Sequence, residues 1–143
     1  MSLSKFSIIP ECNVLIEYYA GNVSLPHFLQ LKEAESKHPL YSPSLSVITD
    51  IRHVDFHSFD KTYVEAFVNF ISSNPEFVAT RKTVIITQTP NQVVWAQMFD
   101  DFIRKIGVHV HTVTSPSAAY SWLHIPIDKI PVIEKEHAKI IVG

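Results

Sequence analysis

Residues 81–123 constrain the fold more than any other stretch. Residues 82–87 form a β-rich run, Gln88-Thr89-Pro90 turns the chain, and residues 91–106 repeat apolar side chains at helical spacing. Trp95, Met98, Phe99, Phe102, Ile103 and Ile106 make one face, and Asp100, Asp101, Arg104 and Lys105 the solvated one. Asn91 is the expected N-cap and Gly107 the stop. A second β-rich run follows at 108–113, then a short helix at 115–123 opened by Ser115-Pro116, with Trp122 and Leu123 turned inward. Strand, helix and strand joined by a crossover of this length make a parallel βαβ unit. The chain is therefore expected to be an α/β domain with a mostly parallel sheet.

The rest of the chain extends this pattern. Residues 6–9 and 14–20 are short β-rich runs parted by Pro10-Glu11-Cys12-Asn13, which predicts an N-terminal hairpin. Ser24 and Pro26 open a helix reaching about Lys37, with Phe28, Leu31 and Ala34 as its apolar face. Residues 44–51 form a near-continuous apolar run that fits a central strand covered on both faces, and residues 52–57 read as a loop. A further helix runs from about 58–60 to Asn74-Pro75, its stripe made by Val64, Phe67, Val68 and Ile71. The order is ββαβαβαβα, over residues 1–126. Residues 127–143 are too apolar for a disordered tail. They fit a helix from about Pro131 better than two short strands, and are expected to dock on the domain or on a second copy, which predicts a homodimer.

Several function classes fall away on counts alone. The chain has three glycines, so neither a dinucleotide-binding nor a Walker loop can be built. Its formal net charge is −2 and no run of Lys or Arg exceeds two, so nucleic acid is not an expected partner. Cys12 is the only cysteine. With a polar opening unlike a signal peptide and no apolar run of membrane-spanning length, this predicts a cytoplasmic protein.

No catalytic motif emerges. The chain lacks a G-x-S-x-G elbow, and its adjacent acids lie on solvated faces. His53 and His57, with His109 and His111, have metal-like spacing, yet no cysteine or carboxylate cluster completes a site, so no metal and no cofactor is expected. Asp50 ends the central strand, where open α/β sheets place ligands. It lacks the acidic pair and the lysine that a phosphorylated receiver would need. With Arg52, Thr87, Thr89 and Trp95 it would line a cleft suited to a small anion or amphiphile.

Residues 81–87, Trp95-Ala96-Gln97-Met98-Phe99 and Ser117-Ala118-Ala119-Tyr120-Ser121-Trp122-Leu123 resemble the SpoIIAA-like, STAS-type bacterial proteins. The likeness spans residues 6–125 in architecture and the last third in motif. It implies a non-enzymatic regulatory or protein-interaction module, often self-associating, whose partner is a protein or a small amphiphilic ligand. The alternative is a small-molecule or lipid carrier, and an unrecognised enzyme comes third. In the anti-sigma factor antagonists of this fold, a serine at the start of the second helix is phosphorylated. Ser58 falls in that place, although His57 stands where the motif has aspartate and no glycine follows.

Overall fold

A computed structural model describes residues 3–56, 61–74 and 82–143. Strand β1 (Leu3–Ile9) pairs antiparallel with β2 (Val14–Gly21) through a tight loop. Asn13 closes that loop at φ 55°, a left-handed conformation that Asn tolerates well. Strands β3 (Ser46–Val54), β4 (Thr83–Ile86) and β5 (Val110–Val113) then add parallel, giving the spatial order β1-β2-β3-β4-β5. This is the expected architecture, a mostly parallel α/β sheet with an N-terminal hairpin.

The strand order decides where the helices go. Each parallel step moves one strand in the same direction, and right-handed crossovers then place every connecting helix on one face. Helices α1 (Leu25–Ser36), α2 (Lys61–Ser72) and α3 (Pro90–Ile103) accordingly share one core with Tyr19, Ile51 and Ile85. The opposite face, carrying Ile16, Ile48, Val84 and Ile86, would remain bare without the two elements after β5. Helix α4 (Pro116–Trp122) folds back beneath it, and α5 (Ile130–Val142) covers the remainder with Ile133 and Ile140. The tail is thus a helix and lies on the chain's own sheet, where Lys5 also donates to the Ile140 carbonyl at 3.4 Å.

Four local expectations change. Helix α3 begins at Pro90 and is capped by Thr89, whose hydroxyl accepts from the Gln92 amide at 3.3 Å. Proline at the first helical position loses only an N–H that had no partner, so the cap falls two residues before Asn91. Strand β3 runs on to Val54, which puts Arg52 in the sheet and not in a loop. Ala34 is exposed, and the inward face of α1 passes from Phe28 and Leu31 to Lys32 and Glu35. Asp100 is buried and held by Arg104 one turn away, not solvated.

Candidate functional site at the carboxyl edge of the sheet

Asp50 occupies the centre of the sheet, with neighbours Tyr18 on β2 and Ile86 on β4. Immediately after it the register slips: Tyr18 opposes Asp50 but Ala20 opposes His53, so β3 carries one extra residue. A bulge of this kind bends the strand and re-aims its side chains. It brings Arg52 back over Asp50. The Arg52 Nε donates to Oδ1 at 3.0 Å, a terminal nitrogen donates to Oδ2 at 2.9 Å, and the Arg52 backbone N–H donates to Oδ1 at 3.0 Å. From α5, His137 Nε2 meets Oδ2 at 2.8 Å.

Asp50 is fully buried. Burial alone would raise its carboxyl pKa, but the bonds from His137 and Arg52 outweigh that and hold it well below the usual carboxylate range. A bidentate guanidinium pair of this geometry is among the stronger charge-assisted contacts. It fixes Arg52, whose side chain is 22% exposed and forms the outward surface of the cluster. Beside it the Tyr18 hydroxyl and His53 Nδ1 lie 2.7 Å apart.

The cleft expected from Asp50, Arg52, Thr87, Thr89 and Trp95 is divided by the sheet. Asp50 and Arg52 sit on the α4–α5 face. Thr87 is buried and donates its hydroxyl to the Val113 carbonyl at 3.1 Å, tying β4 to β5. Thr89 is occupied as a helix cap. Trp95 lies on the other face, stacked between Phe28, Phe56 and Phe99 at centroid distances of 5.2–5.6 Å. The crossover explains the division, since Thr89 and Trp95 belong to α3, which packs on the face of the sheet opposite to α4 and α5. Ser58 lies outside the described residues. Of the metal-spaced histidines, His111 stacks flat on Trp122 at 4.8 Å, and Trp122 is half-buried against that strand, not sunk in the core.

Two polar groups that matter here were not singled out by sequence reading. Gln92 is buried and bridges three segments: its Nε2 donates to the carbonyls of Arg52 (2.9 Å) and Val54 (3.0 Å), and its Oε1 accepts from the amides of Gln88 (2.6 Å) and Thr89 (3.1 Å). The spacing Thr89-x-x-Gln92 is a capping box and was the available signal. The second is an ionic cluster on the α1–α3 face. Lys32 Nζ lies 2.5 Å from Glu17 Oε2 and 3.5 Å from Glu35 Oε1, while the Thr49 hydroxyl donates to Glu17 Oε1 at 2.7 Å. All four residues are buried. Burial opposes the Glu17 carboxylate, but the Lys32 charge and hydrogen bonds with Glu35, Lys32 and Thr49 win, lowering its pKa from 4.5 to about 2. Glu17, a lone charge inside an apolar strand, was the signal for this cluster.

Both depressed carboxyls set the acid limit of the fold. A group that binds its proton less tightly when folded adds stability above its unfolded pKa and loses it as pH falls toward the folded value. The urea midpoint should therefore be level from about pH 7 to about pH 5 and then fall as the pH drops further. For Glu17 the decline occupies the interval between 4.5 and about 2. Asp50→Asn should flatten that acid limb; an equally steep limb in the variant would show that Asp50 is not one of its sources.

Such a sheet, a hairpin-edged parallel ladder in sequence order with helices on both faces, defines the SpoIIAA-like fold. Among solved structures, the chain is similar to an uncharacterised protein of the DUF3478 family with a SpoIIAA-like fold from Shewanella loihica PV-4. The TM-score is 0.57 and the identity 12%, over 85% of this chain and 93% of that one. At that identity the likeness speaks for the fold alone. No protein-family model matches the chain, and no curated protein matches its sequence. Among the described residues no helix is long and apolar enough to cross a membrane, and no group of three or more metal-binding side chains converges.

Proposed function

We propose that this chain is a non-enzymatic regulatory or protein-interaction module of the SpoIIAA-like type, working in the cytoplasm through surface contacts. The observation that carries this reading is the small size of the interior cavity among the described residues. A carrier of lipids or similar molecules needs an internal cavity of roughly 300–1,000 Å³. The cavity between the sheet and helices α1–α3, bordered by Glu17, Lys32, Phe28 and Trp95, measures about 40 Å³. That is room for a few water molecules. The charged groups around it are committed to one another.

Ser58 is the proposed regulatory position. Phosphate there would add about −1.5 to −2 charges near the start of α2, where a helix dipole tolerates them. The consequence would appear in partner binding and not in folding. Self-association belongs to the same proposal, since Leu40, Val94, Ile127 and Val142 leave large apolar side chains in solvent.

The deciding experiment is affinity capture from the cells that make the protein, with wild-type, Ser58→Ala and Ser58→Asp baits, followed by native mass spectrometry. A protein partner retained by Ser58→Ala and lost with Ser58→Asp supports the switch. A partner held equally by all three supports the interaction module without it. A stoichiometric small molecule in place of a protein, enclosed between the sheet and helices α1–α3, would overturn the reading in favour of a carrier. Light scattering that returns a strict monomer well above micromolar concentration would remove the dimer.

A further inference from the structure

The face covered by α4 and α5 contains a second space, unrelated to the interior cavity. Where α4 ends, the chain turns through His124 at φ 56°, crosses Pro126 and enters α5. A groove of about 430 Å³ opens beside that turn, inside the size range of small-molecule sites. Its apolar wall is Ile125, Ile127 and Ile130, and Ile127 is 87% exposed.

Its polar lining is Ser117, Tyr120 and Ser121 from α4, His124 from the turn, and Glu134 from α5. The Tyr120 ring is only 4% exposed and is packed into the core of this face with Ile133 and Leu123. Its hydroxyl makes no hydrogen bond among the described residues and keeps contact with solvent where it lines the groove. Burial, then Glu134 and Asp50, against the opposing charge of Arg52, push the phenol up to about 12, so it remains a neutral hydroxyl across the ordinary pH range. Glu134 is exposed and, among the described residues, forms no ion pair. A phenol oxygen and a carboxylate thus face one groove, both able to accept, with three isoleucines beside them.

We infer that the groove between α4 and α5 binds a small organic ammonium with an apolar body, the N–H groups donating to Glu134 and Tyr120 and the carbon chain lying on Ile125, Ile127 and Ile130. Charge complementarity selects the class: a carboxylate ligand would meet Glu134 with like charge, and a neutral alcohol would forgo the charge-assisted bond. The inference does not rest on the protein-partner role proposed above, since the groove lies on the opposite face of the sheet from α2; it shares only the exposed Ile127 with the proposed self-association.

The test uses three probes of equal chain length, hexylammonium, hexanol and hexanoate, titrated into the full chain and followed by amide chemical shifts. Hexylammonium should move amides of α4, the His124 turn and the first turns of α5, and should bind about threefold to tenfold more tightly than hexanol, with hexanoate weakest. Glu134→Gln should erase the preference for hexylammonium over hexanol. Tyr120→Phe should weaken all binding while keeping that preference. Glu136→Gln, on the same helix but outside the groove, should change nothing. Equal affinities for hexylammonium and hexanol, shifts centred on another part of the chain, or an undiminished preference in Glu134→Gln would each overturn the proposal.

Discussion

Lys32→Met should destabilise the domain by about 3–5 kcal/mol, because it leaves the Glu17 carboxylate buried without its counter-charge. Methionine keeps the length and apolar stem of lysine, so little of the loss would come from packing. Glu17 would retain the Thr49 hydroxyl at 2.7 Å, which is not enough to solvate a full charge. Pairing the change with Glu17→Gln should recover part of the loss, since removing both members of a buried pair is far less costly than removing one. Recovery should be incomplete, because Glu35 remains buried in the same place. Urea unfolding of the two single variants and the double variant gives the coupling directly. A loss below about 1 kcal/mol for Lys32→Met would mean the cluster is hydrated in solution.

Trp95→Ala carries the second large effect, again about 3–5 kcal/mol. The ring is 5% exposed and stacks nearly parallel on Phe28, Phe56 and Phe99, at interplanar angles of 12°, 17° and 8°. Aromatic pairs of this kind contribute beyond the area they bury. The truncation would also merge its vacated volume with the adjoining cavity of about 40 Å³, enlarging a void that the sheet cannot collapse into. Trp122→Ala should cost clearly less, because that ring is half-buried and leans on His111 at the sheet edge. Equal losses at both positions, measured by thermal unfolding, would contradict this placement of the two indoles.

The periods of the sequence were enough for the layers. Val64, Phe67, Val68 and Ile71 marked α2, and the run 82–87 with the helix after it marked the parallel unit. What failed was legibility at positions where a polar residue takes an inward place. Lys32 and Glu35 continue the spacing of Phe28 and Leu31, whereas an apolar pattern alone points to Ala34. Charge of that kind is stable inside only if its counter-charge arrives, and Glu17 arrives from 15 residues away on a different element.

The candidate site divides along the same line. Asp50 at the end of a central strand was readable, because strand position follows from local pattern. Its partner His137 was not, lying 87 residues further along in a helix that is ordered by docking on the sheet. Nor could local pattern show that Trp95 faces away from Asp50, because a cleft assembled from strand ends depends on which layer each side chain enters. Sequence alone therefore determined the elements, their order and the class of the sheet, all of which follow from short-range periodicity. The tertiary structure decided which polar groups meet, since pairings across the sheet, and the groove between α4 and α5, depend on how distant helices pack and have no short-range trace.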